Sequence, residues 1–154
     1  MRRCLVPIFL ALLGAGLRAQ SPAPARFGDD ISGLYAFFRD GESIQLTVQH
    51  GSLEGWVHTY GFLDSDRDVE VDRFFEKSSL EGDQIYFITK PLHGCWVEFK
   101  GRIERGEGRT RELEGYYRLV GHVTEYITDA DHRQTTQQRD VVFKSQAQAL
   151  AATR

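Results

Sequence analysis

Apolar and polar residues alternate along most of this chain, and glycine turns interrupt the alternation roughly every ten to twelve residues. Ser43–Gln49 is the clearest stretch: Ile44, Leu46 and Val48 alternate with Ser43, Gln45, Thr47 and Gln49. A period of two puts each set on its own side of an extended backbone, so the segment predicts a strand with one buried face. Similar patterning predicts strands at Gly33–Arg39, Leu53–Tyr60, Val71–Lys77, Gln84–Lys90, Cys95–Ile103 and Arg139–Lys144. Leu113–Tyr126 also alternates but is long for one strand, and Gly115 and Gly121 within it predict a bulge or sharp bend. Turns fall at Asp40-Gly41, His50-Gly51, Glu81-Gly82-Asp83, His93-Gly94 and Gly106-Glu107-Gly108.

Consecutive strands joined by short turns predict an all-β, antiparallel up-and-down meander of about eight strands. Closure into a barrel would remove the sticky sheet edges. A two-sheet β-sandwich is the alternative, because strand number alone does not force closure. The predicted domain covers residues 31–145, after a Pro-containing leader over 20–30 and before an alanine-rich tail over 146–154.

The faces of these strands differ in kind. Leu53, Gly55 and Val57, then Val97, Phe99 and Gly101, then Leu113, Leu119 and Val123 read as core. The opposite faces mix rings with ionisable groups: Trp56, His58 and Tyr60; Trp96 and Glu98; Tyr116, Arg118, His122 and Tyr126. In a barrel of about eight strands either face could line an interior wide enough for one small ligand, a cavity in which rings supply contact area and ionisable groups fix orientation. Trp56, His58, Trp96, Glu98, Tyr116, Arg118 and His122 are therefore the candidate ligand-binding set. The same residues also suit ordinary cross-strand pairing on a partly exposed wall.

The amino terminus reads as an export address. Arg2 and Arg3 precede an apolar run over 5–17, with small residues at Ala19, Ala23 and Ala25. The run is too short to span a hydrocarbon layer of about 30 Å. Cleavage is expected after Ala19, which places the domain in the periplasm or outside the cell. Loss of Arg2, Arg3 and Arg18 leaves 16 basic against 22 acidic residues, a formal charge of −6. Such a surface repels phosphate backbones, so nucleic acid is not an expected partner. A membrane-spanning barrel is also not expected, because the wall carries Glu98, Lys100 and Arg102. Cys95 would be the one cysteine after cleavage, so the fold must rest on its core without an internal disulfide.

Chemistry-bearing motifs are sparse. Asp64, Asp66 and Asp68 have the alternate-carboxylate spacing with which calcium loops begin, but Val69 stands where an EF-hand turn glycine belongs and Phe75 where its closing glutamate belongs. A solvated acidic turn is the other reading. The five histidines lack the spacing of a zinc helix. No nucleophile elbow, S-x-x-K pair or phosphate loop is present, so a catalytic role, such as an acid/base pair of Glu98 with His58, ranks below binding.

Gly33-Leu34-Tyr35 resembles the G-x-W opening of lipocalin-like (calycin) barrels, with tyrosine in the tryptophan position. Arg139 matches the arginine near the last strand that packs over the opening aromatic in that group. The resemblance implies a barrel over about residues 31–145 with a cavity for a hydrophobic ligand. The functional expectation is an exported protein that binds a small, apolar or amphipathic molecule, without a cofactor unless calcium. The alternative is a non-enzymatic module that contacts another protein of the cell envelope. N-terminal sequencing of protein recovered from an exporting cell should begin at Gln20, whereas an intact Met1 would remove the export reading.

Overall fold

The computed structural model describes residues 27–61 and 69–147. Eight strands, β1 (Gly33–Ala36), β2 (Ser43–Gln49), β3 (Ser52–Tyr60), β4 (Glu70–Glu81), β5 (Gln84–Thr89), β6 (Cys95–Arg105), β7 (Tyr117–Thr128) and β8 (Gln134–Lys144), follow one another in a single antiparallel sheet. The sheet curls into a half-barrel. Tyr35 bridges to Ser145 just past β8, and the Gln146 N–H donates to the Leu34 carbonyl at 2.7 Å. The first strand thus meets the end of the last, and the sandwich does not form. The architecture agrees with the one implied by the lipocalin-like resemblance.

The apolar set of each strand faces inward. Ile44, Leu46 and Val48, with Val57, Phe87, Val97, Phe99, Leu119 and Val123, are all buried. Phenylalanines from successive strands form a row through this core. Phe75 stacks on Phe87 at 4.3 Å, Phe87 lies 5.4 Å from Phe99, and Phe143 lies 6.1 Å from Phe99 and 5.1 Å from Phe37. Where the rings lie, neighbouring backbone must be bare. A Cβ on Gly55 would sit 2.8 Å from the Phe75 ring. Gly101 and Gly121 face each other across β6 and β7, and a Cβ on Gly121 would lie 2.2 Å from the Lys100 carbonyl oxygen.

That glycine pair stands where the pattern predicted a bulge, but the register there is unbroken. It runs from Arg105↔Tyr117 to Cys95↔Ile127. The strand begins at Tyr117, and Leu113 is exposed in the turn before it instead of lining the core. The bulge lies in β4 instead: Phe75 opposes Thr89 and Lys77 opposes Ile88, so two steps face one. Inward positions change from Val71, Arg73 and Phe75 to Ser78 and Leu80. The other departure is β8, which starts at Gln134. Gln134–Gln138 is exposed on both faces, so no burial contrast imposes an alternation there.

One end of the barrel is plugged by a single 3-10 turn, Asp29–Ile31. Ile31 is 1% exposed, and the Tyr35 hydroxyl donates to its carbonyl at 2.8 Å. The Tyr117 hydroxyl donates to Asp30. Burial first raises the pKa of both tyrosines well above the ordinary phenol value, helped at Tyr35 by Tyr117 and then Asp30 and at Tyr117 by its hydrogen bond to Asp30, so both remain donors. At the opposite end the guanidinium of Arg139 lies 3.9 Å over the Phe38 ring and pairs with the buried Glu125. The arginine therefore covers Phe38 and not the opening aromatic Tyr35, whose bridge to Ser145 lies six residues farther along the chain.

Replacing Gly121 with alanine should cost about 1–3 kcal/mol, because both near neighbours are backbone atoms and cannot rotate away. Urea denaturation would measure this; a loss under about 0.5 kcal/mol would contradict the close strand approach.

Candidate functional site

Alternation places Trp56, His58, Trp96, Glu98, Arg118 and His122 on the outer wall, since the set opposite them fills the interior, so this face does not line a barrel cavity; Tyr116 precedes β7 and packs against the core. The register sorts the seven candidate residues into three groups. Trp56 and His58 lie on β3 beside Phe74 and Asp72 of β4. Trp96 and Glu98 of β6 lie near His122 of β7, through the pairs Glu98↔Thr124 and Lys100↔His122. Tyr116 and Arg118 sit at the start of β7, where Arg105 stacks 3.2 Å above the Tyr116 ring and Arg118 pairs with Glu104 at 2.9 Å. Glu98 and His58 are not partners: His58 Nδ1 lies 2.7 Å from Asp72 Oδ1, and Glu98 accepts from Tyr126. The acid/base pair considered for catalysis is not assembled.

The β4 bulge opens the wall beside Trp56. The β3–β4 ladder runs from Tyr60↔Glu70 only as far as Trp56↔Phe74. Beyond it, Ser52–Gly55 pairs only with β2, and β4 from Phe75 onward pairs with β5. The Ser78 hydroxyl, in place of a backbone amide, donates to the Leu53 carbonyl. The result is a lateral cleft of about 680 Å³, lined by Thr47, Trp56, Phe74, Phe75, Lys77 and Ser78 among others. Phe74 is 56% exposed and its ring lies 6.0 Å from that of Trp56. Sequence reasoning missed Phe74, although the Phe74-Phe75 doublet carries the signal. Adjacent residues of a strand point to opposite faces, so one of two consecutive phenylalanines must lie outside.

Around Glu98 the wall is polar and tightly tied. Trp96 and Tyr126, direct cross-strand partners, stack at 4.9 Å with their planes 4° apart. The Tyr126 hydroxyl donates to Glu98 at 3.0 Å, and Lys100 Nζ lies 2.7 Å from its other oxygen. Desolvation pushes the Glu98 pKa up, but hydrogen bonds from Lys100, Tyr126 and Tyr86 outweigh it and hold the carboxyl below its ordinary value. Tyr126 and Tyr86 are shifted upward, by burial and then by Glu98, through a hydrogen bond at Tyr126 and through its charge at Tyr86.

A polar layer inside the barrel, at the end away from the plug, also escaped the sequence reading. Arg73 is 1% exposed and donates to Thr59; Glu42 and Glu125 are buried and meet Arg39 and Arg139. Glu42 lies in the turn before β2, outside any alternation, and Arg73 and Glu125 are charged residues at inward positions where a strand pattern expects apolar ones. Asp64, Asp66 and Asp68 lie outside the described residues, as do the expected signal segment over 1–19 and most of the expected leader and tail. Among the described residues no group of three His, Cys, Asp or Glu side chains is placed to hold a metal ion, and no helix is long and apolar enough to cross a membrane. Cys95 is fully buried beneath the Pro91–Gly94 turn.

The depressed Glu98 pKa sets a pH dependence. A carboxyl whose folded pKa lies below its unfolded value stabilises the fold above the unfolded pKa. That contribution fades as pH falls through the folded pKa. Acidifying from about pH 5 to about pH 3 should therefore lower the melting temperature of the wild type more than that of Glu98→Gln. Equal losses in the two proteins would show that Glu98 carries no such coupling.

In comparisons with known proteins, no family model, curated protein or solved structure matches this chain.

Proposed function

We propose that the chain is an exported binding protein that holds a small, partly apolar molecule in the cleft between β3 and β4, and that its barrel is lipocalin-like in ancestry as well as in shape. The observation that carries the binding reading is the exposed Phe74 ring, next to Trp56, at the mouth of a concave break between β3 and β4. An exposed aromatic ring alone is unremarkable, but rings beside a concavity of small-molecule size offer apolar area that a ligand can remove from water. Lys77, Glu54 and Ser78 supply polar contacts at the rim. The barrel interior, filled by its own phenylalanines, is not the binding chamber in this reading.

Titration with anilinonaphthalenesulfonate, an anionic amphipathic probe, tests the proposal through quenching of Trp56. Saturable binding is expected, weakened about tenfold or more by Phe74→Ala and unchanged by Trp96→Phe. Absence of binding, or binding indifferent to Phe74→Ala, would overturn it. A concentration-dependent mass increase in sedimentation that Phe74→Ala abolishes would move the cleft to the other class, a contact surface for protein.

A further inference from the structure

The outer wall around Thr124 carries a second concavity, of different chemistry. On β7, Tyr126 and His122 flank Thr124 two residues to either side; across the ladders its partners are Glu98 on β6 and Gln138 on β8. A small side chain in the middle of four larger ones leaves a depression, here about 300 Å³, also lined by Lys100 and Thr136. Its lining is hydroxyl, amide, carboxylate, ammonium, imidazole and one aromatic ring, with no leucine, isoleucine or valine.

Three features indicate the kind of molecule that fits. Trp96 covers one side of the Tyr126 ring, and the neighbour across the other ladder is the small Thr136, so the second ring face stays open. The two fixed charges of the lining, Glu98 and Lys100, are matched to each other, and His122 is engaged by Asp140, so the depression selects neither anion nor cation. Glu98 is held by its donors before any ligand arrives, and its side chain is 13% exposed. A preorganised acceptor costs little side-chain entropy on binding. The Thr124 hydroxyl and the Gln138 amide have no hydrogen-bond partner among the described residues and can serve a ligand.

We infer that this depression is a subsite for an uncharged saccharide: a pyranose ring whose C–H face lies on Tyr126 and whose hydroxyls meet Glu98, Gln138 and Thr124. An apolar ligand would leave those polar groups unsatisfied, and a charged one would find no net counter-charge. A single stacking ring and a few hydrogen bonds suit a weak site, with Kd on the order of a millimolar. The site is separate from the β3/β4 cleft and does not depend on it.

The two tryptophans make the test site-specific. In ¹H–¹⁵N spectra of the full chain, assigned with Trp96→Phe and Trp56→Phe, maltose, cellobiose and N,N′-diacetylchitobiose are titrated in turn. At least one should move the Trp96 indole resonance saturably while the Trp56 indole stays in place. Thr124→Tyr fills the depression on a strand-compatible side chain and should abolish the shift without lowering the melting temperature. If that variant fails to fold, Gln138→Ala, at an exposed position, should weaken the shift at least threefold. No saturable shift with any of the three sugars overturns the inference, as does a shift that survives the folded variants. Movement of the Trp56 indole alone also overturns it, and leaves the cleft proposal standing.

Discussion

The row of phenylalanine rings through the barrel is the constraint on which the rest of the molecule depends. Phe75, Phe87, Phe99, Phe143 and Phe37 connect β4, β5, β6, β8 and the β1–β2 turn across one narrow interior. Each ring buried in full contributes about 1.5–3 kcal/mol, and no disulfide assists within the described domain. A half-barrel of this width cannot hold a second side chain wherever a ring lies. Gly55 beside Phe75 and Gly101 beside Phe99 follow from that, and so does the close approach of Gly101 to Gly121. Bulk at one position and bareness at the next are a single feature of the packing.

The same packing explains where binding chemistry can and cannot be. With the interior filled by rings and one end plugged by Ile31, both candidate binding concavities lie on the wall. The larger one exists because β4 has an extra residue at its bulge. That residue ends the pairing with β3 and turns the rest of the strand to serve β5 alone. The smaller one exists because Thr124 stands among longer side chains on a regular ladder. One arises from a defect in the sheet and the other from side-chain size on an intact sheet, which is why their linings differ.

Charge is distributed by a related rule. Buried ions are costly unless paired, and the interior ions gather at the end away from the plug, where Glu125 meets Arg139 and Glu42 meets Arg39. Arg139 also spans from β8 to Phe38 near β2, at an end where no ladder joins the first strand to the last. It fastens the open side that the Tyr35–Ser145 bridge fastens at the plugged end.

Alternation in the sequence determined the strands from β1 to β7 and the division of each into two sets of residues, and the short turns determined their order. A half-buried strand must repeat every two residues, and Trp56, Trp96, Glu98 and His122 were legible as one class for that reason, but that this class forms the outer wall and not a cavity lining followed only from the filled interior. Where both faces meet water, as over Gln134–Gln138, the chain carries no such record, and the first half of β8 was not legible. Local sequence could not place the bulge either. Gly115 and Gly121 looked like its site, but the extra residue went to β4, where the Phe74-Phe75 doublet had to divide between wall and core. Only the tertiary structure decided that Trp56 adjoins a cleft while Trp96 stacks on Tyr126, because those outcomes depend on which strand lies alongside and in what register. Residues far apart in the chain meet through strand pairing, and periodicity along one strand holds no information about its neighbour.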